Sequence, residues 1–184
     1  IVDILNLKKK KTIIPASVLI MAGGRGVRLK PFTDNTPKPM LLVGDKPIIE
    51  YNIDRLISFG ITEFFISVNY LKDQIKDYFG DGSLKGVTIN YIEENEALGT
   101  IGSMSLIDEI ENEDLIVMNS DILTNLDFED FYQFYCKEKS QMVVASVPYD
   151  VNIPYAVLET NKNNIISFSE KPKYTYYFNA GIYI

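Results

Sequence analysis

The chain has 184 residues, enough for one domain with a sizeable core, and 46% of them are hydrophobic, the share of an ordinary globular protein. Its 25 acidic and 18 basic side chains leave a net charge of -7, which excludes a general nucleic-acid binder, because that function needs a basic face for the phosphate backbone. There is no histidine, so Ser-His-Asp hydrolases, HExxH proteases and most zinc enzymes are excluded too.

Residues 1–16 read as a linker or tail, with apolar Ile1 to Leu5 followed by the lysine run Lys8 to Lys11. That order is the reverse of a secretory leader. No apolar run approaches the roughly 20 residues that cross a bilayer, so a cytoplasmic location without a membrane partner is expected. From residue 17 the pattern becomes regular, and 17–184 are expected to form one domain. Val18 to Met21 reads as a buried strand, followed by the loop Gly23-Gly24-Arg25-Gly26. Lys46 to Phe59 carries Ile49, Ile53, Leu56 and Ile57 at helical spacing, and Gly60 stops that helix. A strand follows at Glu63 to Val68, a helix at Leu71 to Phe79 and a turn at Gly80-Asp81-Gly82. Val87 to Ile92 alternates as a strand, Gly102 to Ile110 is expected to be helical, and Leu115 to Met118 is another buried strand. Asp127 to Lys139 reads as a helix that buries Cys136 as a small hydrophobe. The rest is strand-rich, at Met142 to Val147, Tyr155 to Leu158, Ile165 to Phe168 and Phe178 to Ile184.

Strands alternating with helices imply an α/β fold, a mainly parallel sheet with helices on both faces and antiparallel additions toward the end. In such open sheets the ligand lies beyond the carboxyl ends of the strands. Chemistry is therefore expected in the loops after Met21, Val68, Ile92 and Met118.

The loop after the first strand is the most informative segment. Glycines let backbone N–H groups approach phosphate oxygens without side-chain obstruction. A dinucleotide fingerprint would need glycine three positions after Gly26, where Leu29 stands. A Walker A loop would end in Gly-Lys-Ser/Thr, which is absent. What remains is Arg28 after the glycines and Lys38 held between Pro37 and Pro39. A planar guanidinium fork and a compact ammonium together suit a polyphosphate.

Val18 to Val43 resembles the signature of the sugar-phosphate nucleotidylyltransferases, in Ala22 to Leu29, Pro31-Phe32-Thr33 and Pro37-Lys38-Pro39. Val27 stands where that family usually has threonine. Later motifs recur in the same order: Glu94 to Gly102 resembles the base-recognition loop, with Ile101 in place of alanine and Ala97 in place of proline. Val117 to Asp121 resembles the strand whose last aspartate holds magnesium, with Ser120 in place of glycine. Glu170-Lys171-Pro172 and Asn179-Ala180-Gly181 resemble the sugar-phosphate and sugar motifs. Ala156 stands where relatives have a glycine close to the sugar.

The resemblance implies a Rossmann-like nucleotide-diphospho-sugar transferase fold. It also implies a nucleotidyl transfer from a nucleoside triphosphate to a sugar 1-phosphate, with release of pyrophosphate and Mg2+ as cofactor. Ala22, Gly23, Gly24, Gly26, Arg28, Lys38, Glu94, Gly99 and Thr100 would bind the nucleotide. Asp121, Glu170, Lys171 and Asn179 would bind the sugar phosphate. Arg28, Lys38, Asp121 and Lys171 would carry the catalysis, with Asp121 as metal ligand. The nucleophile is a phosphate oxygen already ionised at neutral pH, so a histidine-free chain is compatible with the reaction.

Base choice follows from Glu94. An ionised carboxylate only accepts hydrogen bonds, and guanine offers two adjacent donors to match it. GTP is therefore expected in preference to uridine or other nucleotides, and the guanylyltransferases are the nearest members. The alternatives are a non-catalytic subunit of the same fold that senses nucleotides or sugar phosphates, and a transferase of uridylyl or another base. In some relatives a regulatory nucleotide-binding module precedes the transferase, and by that resemblance residues 1–16 would be its end, with Ile1 to Leu5 as its last strand. Relatives also continue beyond the point matching Ile184, with further helices and a second aspartate that completes the metal site, and often form homo-oligomers. The domain is accordingly expected to be incomplete at its C-terminus, and these residues alone to turn over weakly.

Overall fold

In a computed structural model the chain is described for residues 13–94, 99 and 101–184. Strands β1 (Ala16–Met21), β2 (Leu42–Val43) and β3 (Lys46–Pro47) come first, β2 and β3 forming a small antiparallel ladder. Helix α1 (Ile48–Ser58), β4 (Glu63–Val68), α2 (Lys72–Phe79), β5 (Thr88–Glu93) and β6 (Asp114–Asn119) follow, then α3 (Phe128–Glu138). The chain closes with β7 (Val144–Asn152), β8 (Val157–Asn161), β9 (Asn164–Ser169) and β10 (Lys173–Tyr183).

The chain divides into two compact units, one of 1–143 with 181–184 and one of 144–180. In the first, β5, β4, β1 and β6 lie side by side, all parallel, and the end of β10 adds antiparallel to β6 through Ile182 and Met118. The expected mainly parallel α/β sheet is thus present. β1 and β4 are buried on both faces, which is what a continuous apolar strand needs and what a parallel sheet supplies. In the second unit, β8 and β9 form an antiparallel hairpin, and β7 lies beside β10. Its aromatic side chains are largely exposed, among them Tyr149, Tyr176, Tyr177 and Phe178.

α1 turns Ile49, Ile53 and Leu56 into the core and places Asn52 on the same buried stripe. Phe59 after α1 meets Phe128 at the start of α3 edge-to-face, 5.7 Å between ring centres. Tyr78 of α2 donates to Glu50 of α1 at 2.8 Å. Leu19, Phe65, Ile92, Val117 and Tyr183 form a second buried cluster, and Ile107 packs against it.

That cluster explains one departure from expectation. Gly102 to Ile110 is not a helix: a short 3-10 turn at Gly102–Leu106 gives way to extended backbone at Ile107. Extension carries Ile107 onto the cluster and lets the Glu111 N–H reach the buried carboxylate of Glu63 at 3.1 Å, which also accepts from the Ser17 hydroxyl. Cys136 is a second departure. It is exposed, because α3 buries its Phe128 and Phe131 stripe and position 136 lies off that face. Among the described residues no helix is long and apolar enough to cross a membrane.

Candidate active site

The glycine loop leaves the carboxyl end of β1 between its parallel neighbours. The Ala22 N–H is used by the fold, donating to the Ser67 carbonyl at 3.0 Å and lying 3.3 Å from its hydroxyl. The first loop amides able to face a ligand are therefore those of Gly23 and Gly24. Met21, Gly23, Gly24, Ser67, Glu94, Gly99 and Asn119 line a cleft of about 370 Å3 at the carboxyl ends of β1, β4, β5 and β6. That is where an open parallel sheet places its ligand.

Glycine is required at two positions for different reasons. A Cβ on Gly23 would lie 3.1 Å from Oε2 of Glu94, close enough that the carboxylate would have to shift. Gly26 is left-handed at φ 61°, and a Cβ there would meet the stems of Lys38 and Thr33 at 3.0 Å. The Thr33 hydroxyl in turn donates to the Gly26 carbonyl at 2.9 Å. The lysine of the Pro-Lys-Pro motif therefore packs directly against the glycine loop, although twelve positions separate them. Tyr70, at the end of the β4 strand loop, donates to the Asp34 carbonyl at 2.7 Å and stacks under Arg25.

Asp121 follows β6 by two residues. Its carboxylate forms an ion pair with the Lys38 ammonium, and each side chain remains about one-third exposed, at 35% for Lys38 and 34% for Asp121. The turn that carries Asp121 is fixed from both sides. The Ser120 N–H donates to the Met21 carbonyl at 3.2 Å, and buried Asn52 donates to the Ser120 carbonyl at 3.2 Å. Gly181, at φ 73°, has no room for a Cβ because the Asn119 side chain lies against it.

Of the residues expected from sequence, the fold brings Gly23, Gly24, Glu94 and Gly99 to one cleft and pairs Lys38 with Asp121 beside Gly26. Arg28 is exposed on a 3-10 turn and makes no ion pair among the described residues. Glu170, Lys171 and Asn179 belong to the second unit and are exposed there. Lys171 has a left-handed backbone, φ 44°, in the turn between β9 and β10, a conformation that costs a non-glycine residue energy. Thr100 lies outside the described residues.

Ser67, Asn119 and Asn52 escaped the sequence reading. Asn52 did leave a signal, a polar residue at an apolar-stripe position three after Ile49. Ser67 and Asn119 left none, since each sits at the end of a strand like many polar residues.

Magnesium favours a hard carboxylate and keeps most of its shell as water and substrate phosphate. Asp121 supplies such an oxygen, at a place that already holds a cation, the Lys38 ammonium. No group of three acidic or thiol side chains gathers among the described residues. A single hard carboxylate of this kind fits a magnesium ion that keeps most of its shell as water and phosphate.

Comparison with known proteins fixes the family. The nucleotidyl transferase family model matches residues 17–184. This chain belongs to the nucleotidyl transferase family. It is 32% identical over 174 residues to mannose-1-phosphate guanyltransferase beta-A of Xenopus laevis, and 32% identical over 182 residues to mannose-1-phosphate guanyltransferase of Saccharomyces cerevisiae. In both cases 90% of this chain and 48% of the relative are covered. It is also 31% identical to a UTP--glucose-1-phosphate uridylyltransferase of Synechocystis, again with 90% and 48% covered. The chain therefore spans about half the length of the curated relatives it matches. Among solved structures, HddC from Yersinia pseudotuberculosis superposes with a TM-score of 0.69 at 30% identity, covering 91% of this chain and 75% of that one. The same nucleotidyl transferase fold is thus shared.

Proposed function

We propose that this protein joins a nucleoside triphosphate, preferably GTP, to a sugar 1-phosphate, giving a nucleotide sugar and pyrophosphate. The observation that carries the reading is the meeting of Lys38 and Asp121 beside the glycine-loop cleft. In this reading the Lys38 ammonium serves the phosphates and the Asp121 carboxylate the metal, and membership of the nucleotidyl transferase family supports it.

In this reading the sugar-phosphate oxygen attacks the α-phosphorus, and the bond from that phosphorus to the bridging oxygen of the β-phosphate breaks. The electron pair leaves with pyrophosphate, and no proton has to be removed from the nucleophile. The protein's task is positioning and charge neutralisation. The amides of Gly23 and Gly24, with Arg28 and Lys38, hold the triphosphate and the leaving pyrophosphate. Lys171, with Glu170 and Asn179, holds the sugar phosphate. A bound Mg2+ on Asp121 would supply Lewis-acid neutralisation of phosphate charge. Glu94 accepts the paired donors of guanine, and Gly23 leaves its carboxylate the space to do so. We extend the reading to a cytoplasmic enzyme.

The test uses the intact natural protein with Mg2+, each of the four nucleoside triphosphates in turn and a panel of sugar 1-phosphates, with pyrophosphate release as readout. Release with GTP and one sugar, abolished by Asp121→Ala, is expected. Nucleotide binding without release from any pair would overturn the proposal in favour of a sensing subunit.

A further inference from the structure

The ion pair between Lys38 and Asp121 joins the two groups that the proposed reaction needs apart, one for phosphate and one for metal. We infer that the Lys38 ammonium is a resident counter-ion of the metal site. It occupies Asp121 until a polyphosphate draws it away, so that the divalent cation and the triphosphate bind as a coupled pair. The inference rests on the assignment of these two residues to one nucleotide site.

Three observations carry it. Asp121 has a partner already, and it is the lysine that packs against the glycine loop. The backbone that carries the carboxylate is anchored, because Asn52 and the Met21 carbonyl hold the turn at Ser120. The lysine stem is seated against the glycine loop, where Gly26 leaves it just enough room. Its ammonium can therefore swing toward a ligand in the loop while the stem stays in place, so the movable member of the pair is Lys38.

The electrostatics follow directly. A divalent ion and an ammonium cannot share one carboxylate without strong mutual repulsion. Metal binding to the free protein must displace Lys38 into water. A triphosphate offers Lys38 several anionic oxygens instead, so displacement then carries no penalty. The coupling is reciprocal by thermodynamic necessity: the metal, in taking Asp121, frees Lys38 for the phosphates. A free-state site with low metal affinity also keeps the enzyme from holding a divalent ion when no nucleotide is present.

The test is Mn2+ binding to the intact, nucleotide-free protein, followed by electron paramagnetic resonance, for wild type, Lys38→Met, Lys38→Arg, Asp121→Asn and the double variant Lys38→Met/Asp121→Asn. Lys38→Met should bind Mn2+ roughly tenfold more tightly than wild type, within the usual range of coupling between sites. Lys38→Arg, which keeps the positive charge, should stay near wild type. The gain should vanish in the Asp121→Asn background, which separates this site from other acidic surface. Lys38→Gln, which is also uncharged but keeps a polar end for the partly exposed position, repeats the comparison should the methionine variant misfold.

Unchanged or weaker Mn2+ binding in both uncharged variants would overturn the inference, as would a gain that persists without Asp121. Because the readout is metal binding to the free protein, its failure is distinct from failure of the transferase reading, which pyrophosphate release decides.

Discussion

At the scale of single residues, the cleft depends on what is small as much as on what is charged. Glu94 can present its carboxylate because Gly23 has no side chain to meet it, and Lys38 can lie on the glycine loop because Gly26 has none. The base preference should follow the charge and not the size of residue 94. Glu94→Gln keeps the shape and replaces one acceptor oxygen with a donor, which faces the guanine donors with a donor of its own. The ratio of kcat/KM for GTP over UTP is expected to fall by roughly tenfold or more, since a mismatched buried hydrogen-bonding group discriminates strongly. An unchanged ratio would separate Glu94 from base reading. The motif order was legible here because each motif is short, local and rich in glycine or proline. Asn52 was not, because its partner, the Ser120 carbonyl, is 68 positions away.

At the scale of elements, the boundaries in the parallel sheet were legible, whereas β7 and β10 run well past the strands expected at Met142 to Val147 and Phe178 to Ile184. β4 begins and ends at Glu63 and Val68 as its aromatic and β-branched run predicts. The helix expected from Lys46 starts at Ile48, because Lys46 and Pro47 are spent pairing with Val43 and Leu42 in a small ladder. The helix expected over Gly102 to Ile110 was overruled by tertiary demand, the burial of Ile107 and the capture of the Glu111 amide by Glu63. Local rules hold again at α3. Its N-cap Asp127 accepts from the N–H groups of Glu129 and Asp130 at 3.0 and 3.3 Å. Asp127→Ala should lower stability by about 1 kcal/mol, read as a lower denaturant midpoint with an unchanged slope. Asp127→Ser should restore most of it.

At the scale of the whole molecule, acid–base behaviour follows from composition and from a few ion pairs. With no histidine, no imidazole changes charge between pH 5 and 8, so stability is expected to be nearly flat across that range. Below it, Glu93 matters most. Hydrogen bonds from the Lys72 and Lys76 ammonium groups hold its carboxyl down at about 2. Asp150 is lowered in the same way by the Lys173 ammonium and the Thr175 hydroxyl. A carboxyl lowered by folding adds stability that is present above its unfolded value, near 4.3 for glutamate, and lost as pH falls through the folded one. Acid unfolding followed by circular dichroism should therefore begin below about pH 4.5, and Glu93→Gln should remove part of that steepness. The same variant should leave the profile above pH 6 unchanged in shape.

The sequence by itself determined the strand-and-helix alternation, the buried parallel strands and the order of the motifs, because these rest on local periodicity and on residues with unusual backbone freedom. It also pointed to the loops after Met21, Val68, Ile92 and Met118; three of them line the cleft or carry Asp121, whereas at β4 the strand residue Ser67 lines it and the loop after Val68 does not. Only the tertiary structure decided which of those residues meet. Parallel strands place their carboxyl ends together whatever the chain distance between them, so Gly23 comes to Glu94 and Lys38 to Asp121 across 71 and 83 positions. That the Lys38 ammonium rests on the Asp121 carboxylate is a fact of three-dimensional packing, and no spacing along the chain could have specified it.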